Sequence, residues 1–139
     1  MLCGTWRLVS FVQTIVGTGE TTDVFGKAPR GFITYGSDGR MIVLIVEDAR
    51  PKPASPATIT DQEGVDLFRS MAAYGGTYVF DGKTVVHRVD ISWNEEWTGT
   101  DQVRNVKFEG NRLILSTDRQ PSDPDDKAAV YVVTWERVK

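Results

Sequence analysis

The chain has 139 residues, 40% of them hydrophobic and 25% charged, with a formal net charge of −3 at pH 7. That length predicts one domain over 1–139 with a core that needs no staples, and the acid-leaning balance without a basic tract argues against nucleic acid or an anionic membrane as partner. A single cysteine, Cys3, excludes an intramolecular disulfide and a cysteine metal site within the chain, and no apolar run reaches membrane-spanning length. Met1 to Trp6 lacks the charged and apolar regions of a signal peptide, so a cytoplasmic location is expected.

Most segments are short, alternating and bounded by turn residues. Thr5 to Val12 predicts a first strand, with Trp6, Leu8 and Ser10 on one face and Arg7, Val9 and Phe11 on the other. Gly31 to Gly36 and Arg40 to Glu47 follow as a hairpin around Ser37-Asp38-Gly39. Its second arm is apolar on both faces from Met41 to Val46, which predicts cover on both. Pro51, Pro53 and Pro56 then lead the chain off the sheet. Thr60-Asp61-Gln62-Glu63 matches a capping box. A helix of about three to four turns is expected behind it, on ordinary helix lengths. It would stop at Gly75-Gly76 and bury a face of Leu67, Phe68, Met71, Ala72 and Tyr74.

Thr77 to Phe80, Asp81-Gly82 and Lys83 to Trp93 form the strongest hairpin signal. With Asp81 and Gly82 as the loop, Tyr78 faces Val85 and Gly76 faces His87, leaving space beside the imidazole. Val85, His87, Val89, Ile91 and Trp93 share one apolar side of the second arm, so an interior face carries the only histidine. An imidazole there must be hydrogen-bonded, lodged in a wet cavity or destabilising, because burial without a partner costs roughly 1–3 kcal/mol. A loop through Asn94 to Gly99 leads to strands Gln102 to Glu109 and Arg112 to Thr117. An exposed acidic loop over Asp118 to Lys127 and a closing strand, Ala128 to Val138, complete the chain. In the strand from Gln102, the set Gln102, Arg104, Val106 and Phe108 is the more apolar toward its end. It is therefore placed inward, beside His87, with Tyr78 as a candidate fourth member.

About eight strands linked mainly by hairpins, with one helix between the third and fourth, predict an all-β fold, a single up-and-down antiparallel barrel. Such a barrel is either filled by side chains or holds one small ligand. An inward Arg104 needs acceptors for five donors, and these strands offer no inward acid. On the functional reading, Arg104 and Gln102 donate to a carbonyl, enolate or carboxylate of a mainly apolar ligand while His87 accepts or shuttles a proton. On the structural reading, the same three residues form a satisfied network that fixes register in a filled barrel. Trp93 and Trp97 either pack at the rim or line a ligand site. Glu95-Glu96 and the Asp123, Asp125 and Asp126 group read as solvated, and neither a metal site nor a cofactor is expected.

Gly4-Thr5-Trp6, the run His87…Ser92…Trp97-Thr98-Gly99-Thr100…Gln102-Val103-Arg104, Tyr74-Gly75-Gly76-Thr77-Tyr78 and Thr134-Trp135-Glu136-Arg137-Val138 together mark a family. In them the chain resembles bacterial and fungal lipocalin-like domain proteins of the calycin group along nearly its whole length. The resemblance implies a closed barrel with an internal cavity and Trp6 at the closed end, stacked near Arg137. Related barrels include both carriers and cofactor-free biosynthetic enzymes. The preferred function is thus binding of a small hydrophobic or amphipathic metabolite by Tyr78, His87, Trp97, Gln102 and Arg104. The alternative is an isomerase, cyclase or dehydratase on a polyketide-like or terpenoid substrate, with His87 as general acid/base and Arg104 as oxyanion stabiliser. A filled barrel serving as an interaction module would instead show no cavity and an exposed apolar patch. The expected partner is a small hydrophobic molecule, with a homodimer left open, and neither nucleic acid nor a membrane.

Overall fold

Ten strands make one continuous antiparallel sheet in the computed structural model, which describes residues 1–118, 120–121 and 128–138. They are β1 (Gly4–Ile15), β2 (Thr21–Asp23), β3 (Arg30–Tyr35), β4 (Arg40–Val46), β5 (Met71–Phe80), β6 (Thr84–Ser92), β7 (Asp101–Glu109), β8 (Arg112–Ser116), β9 (Gln120–Pro121) and β10 (Ala128–Arg137). Pairing of β1 with both β3 and β10 closes eight of them into a barrel, while β2 and β9 are short additions on β1 and β10. The one α-helix among the described residues, α1 (Asp61–Arg69), follows β4. It was expected after the third strand. Thr21–Asp23, exposed at all three residues, carries no apolar alternation by which sequence could reveal it, yet it pairs with Val12 to Thr14 and shifts the count. No described helix is long and apolar enough to cross a membrane.

The capping box is present: Thr60 Oγ1 accepts from the Glu63 amide at 3.1 Å, and Glu63 accepts from the Thr60 amide at 2.9 Å. The helix nonetheless ends at Arg69, well short of Gly75-Gly76. Met71 to Tyr74, expected on the helix, instead pair with Val46 to Val43. A full ladder against a sheet edge outweighs a few tenths of a kcal/mol of helix propensity per residue. Buried Ser70 makes the join, with its carbonyl accepting from the Glu47 amide and its hydroxyl from Arg50 Nε at 3.0 Å.

Two bulges decide which side chains face inward. On β1 an extra residue between Leu8 and Ser10 shifts the pairing with β10, so that Phe11 lies opposite Val133 and turns toward the interior with Trp6 and Leu8. On β6 the extra residue falls between Val89 and Ile91, opposite Gly76 and Gly75. Val85, His87 and Val89 are buried as expected, but Ile91 is thrown outward and is 65% exposed. Gly76 faces Val89, not His87, because the hairpin loop is longer than two residues: Phe80 pairs with Val85 and Tyr78 with His87. Only glycine fits at 76, where a Cβ would overlap the Arg88 carbonyl oxygen. The expected outer cover of β4 is also missing, since Ile42 and Leu44 are exposed beside Phe32 and Ile91.

Strand directions give the barrel two unlike ends. The tight connections after β3, β5 and β7 lie at the end where β1 starts and β10 finishes, with Gly39 at φ +85° turning the first of them. Here Trp6 is buried, the Arg137 guanidinium sits 4.0 Å from its ring centre, and Arg137 donates to the Cys3 and Met1 carbonyl oxygens. Trp6 Nε1 donates to Leu2 O at 3.0 Å, which draws the N-terminal residues across this end. The longer connections, including α1 and the segment from Trp93 to Thr100, gather at the opposite end. The loop expected over 118–127, with Asp123, Asp125 and Asp126, lies mostly outside the described residues.

Candidate functional site

The interior is not filled. A cavity of about 580 Å³ occupies the barrel on the α1 side of the Trp6 layer. Its wall is mainly apolar, supplied by Phe11, Ile33, Val43, Ile45, Leu115 and Trp135, and Phe68, Trp93 and Trp97 line it where α1 and the 93–100 segment meet the sheet. Phe68 and Trp93 rings lie 6.0 Å apart, and Trp93 Nε1 donates to Phe68 O at 3.3 Å, so the helix is tied to this rim. Arg50 reinforces the tie by donating to Leu67 O at 3.0 Å.

Arg69, Thr117 and Tyr131 also border the cavity, and its main polar patch joins His87 on β6, Gln102 and Arg104 on β7, and Tyr74 on β5. Period-two alternation places them. Gln102 pairs directly with His87, and Arg104 with Val85 two residues nearer the closed end, so all three point the same way. The three residues singled out from the sequence therefore do line one compartment, and Trp97 joins them at the rim. Tyr78 does not: its hydroxyl donates to Gly36 O at 2.7 Å and lies 3.3 Å from Cys3 Sγ, toward the closed end.

His87 is the most constrained member, at 2% exposure. Nε2 lies 2.6 Å from Tyr35 Oη and Nδ1 lies 2.6 Å from Tyr74 Oη, so both ring nitrogens are engaged. Burial, with a smaller contribution from the Arg104 charge, pulls the imidazole down to about 3, and it is neutral at physiological pH. Burial likewise pushes Tyr74 up to about 12 and Tyr35 well above the usual phenol value. Both phenols keep their protons. Tyr74 is held in place by its ring, which stacks on Trp97 at 5.7 Å with planes 27° apart.

Sequence reasoning missed the two tyrosines that grip the histidine. Tyr74 was assigned to the helix, although it begins the two-residue rhythm Tyr74, Gly76, Tyr78, Phe80 that marks an inward strand face. Tyr35 ends β3, and nothing local announces its meeting with a residue 52 positions away.

Arg104 is differently placed. Its Nη1 donates to Val103 O at 2.9 Å and its Nη2 to Gln102 Oε1 at 3.3 Å, and Gln102 Nε2 donates to Thr100 Oγ1 at 2.9 Å. Among the described residues the salt bridges are Arg40 with Asp90 and Lys107 with Glu109, so Arg104 lines the cavity without a carboxylate partner. No three described His, Cys, Asp or Glu side chains converge in a way that could hold a metal ion. The arrangement can therefore offer neutral and charged hydrogen-bond donors to an oxygen atom carried on an apolar body.

Comparison with known proteins agrees with this architecture. No curated protein matches the chain. A family model described as a lipocalin-like domain matches residues 3–138. That span takes in every barrel strand, the Trp6 and Arg137 closure and the whole polar patch, and the chain belongs to the lipocalin-like domain family.

Proposed function

We propose that this protein binds a small hydrophobic or amphipathic molecule inside the barrel, oriented by His87, Gln102 and Arg104 with Trp97 at the rim. The observation that carries the reading is the cavity of about 580 Å³, mainly apolar, with His87, Gln102, Arg104 and Tyr74 converging on it. Small-molecule sites of roughly 300–1,000 Å³ are built in this way, with an apolar lining for affinity and a few placed polar groups for orientation. Within this reading His87, which borders the cavity with both ring nitrogens engaged, acts by holding the patch in register.

The same geometry weighs against the enzymatic alternative with His87 as general acid/base. Its nitrogens are both engaged and its basicity is suppressed to about 3, so near neutrality it supplies neither a proton nor a free lone pair.

The test is titration with N-phenyl-1-naphthylamine, a neutral apolar fluorophore. Saturable emission with one site per chain is expected, and Ala72→Trp should abolish it. Ala72 lines the cavity opposite Ile45 on the adjoining strand, where an indole would occupy ligand space. Absence of saturable binding to the parent protein would overturn the reading.

A further inference from the structure

The hydrogen-bond chain through His87 has a direction, and the direction identifies the group it presents to the cavity. A neutral imidazole has one N–H and one lone pair, so of the two phenols at 2.6 Å one must donate to the ring and the other must accept from it. The accepting phenol then keeps a hydroxyl hydrogen that needs a third group. If Tyr35 were the acceptor, that hydrogen would be stranded: Tyr35 is 1% exposed, does not line the cavity, and its hydroxyl has no described partner besides His87. Stranding a buried donor costs roughly 1–3 kcal/mol. In the other arrangement Tyr35 donates to Nε2, Nδ1–H donates to Tyr74 Oη, and the surplus hydrogen belongs to Tyr74, which lines the cavity. The second arrangement leaves the surplus hydrogen on the phenol that borders the cavity, where a bound molecule or water can accept it.

Strand order supports the same direction. Tyr35 lies at the closed end, opposite Gly4 and Met41, whereas Tyr74 lies three residues into β5 from the α1 side. The chain thus runs from the closed end outward, Tyr35 to His87 to Tyr74. Accepting the imidazole N–H polarises the Tyr74 hydroxyl and makes it a stronger donor. Close by on the wall is Arg104, a fixed positive charge with no carboxylate partner among the described residues.

We propose that Tyr74 and Arg104 together receive a carboxylate on the bound molecule, the Tyr74 hydroxyl donating to one oxygen and the guanidinium supplying the opposing charge. This rests on the cavity-binding reading and narrows it: the ligand is an apolar acid rather than an alcohol or a hydrocarbon. Tyr74 is the specificity-determining donor, and Tyr35 and His87 are positioning residues that set its hydrogen. A carboxylate gains from both donors at once, because hydrogen bonds to an ionised acceptor are about twice as strong as neutral ones. A matched alcohol carries no negative charge, so it lacks the ion-pair attraction to the guanidinium and accepts from the phenol only at neutral strength.

The experiment displaces bound N-phenyl-1-naphthylamine at pH 7.5 with dodecanoate and, separately, with dodecanol. The parent protein is expected to prefer dodecanoate by roughly tenfold or more, the lower end of what one charged hydrogen bond contributes. Arg104→Gln and Tyr74→Phe should each remove most of that preference, read within each variant as the ratio of dodecanoate to dodecanol affinity so that any change in fluorophore binding cancels. Equal displacement by the two chains, no displacement by either, or a preference that survives both substitutions would overturn the proposal. Those outcomes are separable from failure of the cavity reading, in which the fluorophore itself does not bind. The comparison on the parent protein decides the matter even where a variant does not fold.

Discussion

Replacing His87 by leucine isolates the cost of the polar chain, because the new side chain fills similar space and offers no hydrogen bond. Tyr35 suffers most. At 1% exposure its hydroxyl loses its described partner and cannot turn to water, which costs roughly 1–3 kcal/mol. Tyr74 loses the same bond but lines the cavity, so its hydroxyl can be rehydrated there at little cost. Apolar leucine regains part of the loss, since the neutral imidazole was itself desolvated. The net expectation is a destabilisation of about 2 kcal/mol, which for a chain of this length lowers the melting temperature by roughly 6 °C. Calorimetry or circular dichroism at pH 7.5, backed by urea unfolding, measures it. The decisive control is Tyr35→Phe combined with His87→Leu. With the stranded hydroxyl removed, the double variant should be more stable than His87→Leu alone by about 1 kcal/mol, a non-additivity that only a direct contact produces. A His87→Leu protein as stable as its parent, or a double variant no better than the single one, would refute the account of the cluster.

Acid sensitivity follows from the same burial: the unfolded chain takes up a proton at His87 near the usual histidine value, whereas the folded one resists until about 3. Stability contributed by His87 is therefore fully present above about pH 6.5 and is lost at about 1.4 kcal/mol per unit as pH falls from there toward 3. Urea unfolding at pH 7.5, above that onset, and at pH 5.5 and 4.5, roughly one and two units below it, should show the parent's advantage over His87→Leu shrinking and then reversing as pH falls; a gap independent of pH would contradict the assignment. Gly76→Ala should cost about 3 kcal/mol or more, or prevent folding, because the added methyl overlaps the Arg88 carbonyl at the bulge. Gly64→Ala, in the interior of α1 with open space around it, should instead stabilise by roughly 0.5–1 kcal/mol, and thermal unfolding of the pair tests the contrast.

Most of the barrel could be read from alternation and turns, because both are local. His87, Gln102 and Arg104 are read correctly as inward, as each lies in a run where period two is unbroken. The failures share a cause. Phe11 and Ile91 were put on the wrong faces since each lies beyond a bulge, and one extra residue inverts every later side chain while leaving the composition of the strand unchanged. Tyr74 was lost to the helix for a related reason: a capping box announces where a helix begins, but where it ends depended on β4 offering an open edge to Met71. These are also the places that make the site. The β6 bulge lets Ser92 pair with Tyr74 while His87 remains opposite Tyr78, and this offset sets the Tyr74 hydroxyl against His87 Nδ1 on the inner face. Without the extra residue the strand partners beyond Gly76 would shift by one, Ile91 would take an inward position, and the cavity wall near Tyr74 would gain a large apolar side chain. The irregularity that defeats a reading of the strand by alternation is therefore the same one that leaves room, beside a gripped histidine, for a hydroxyl facing open space.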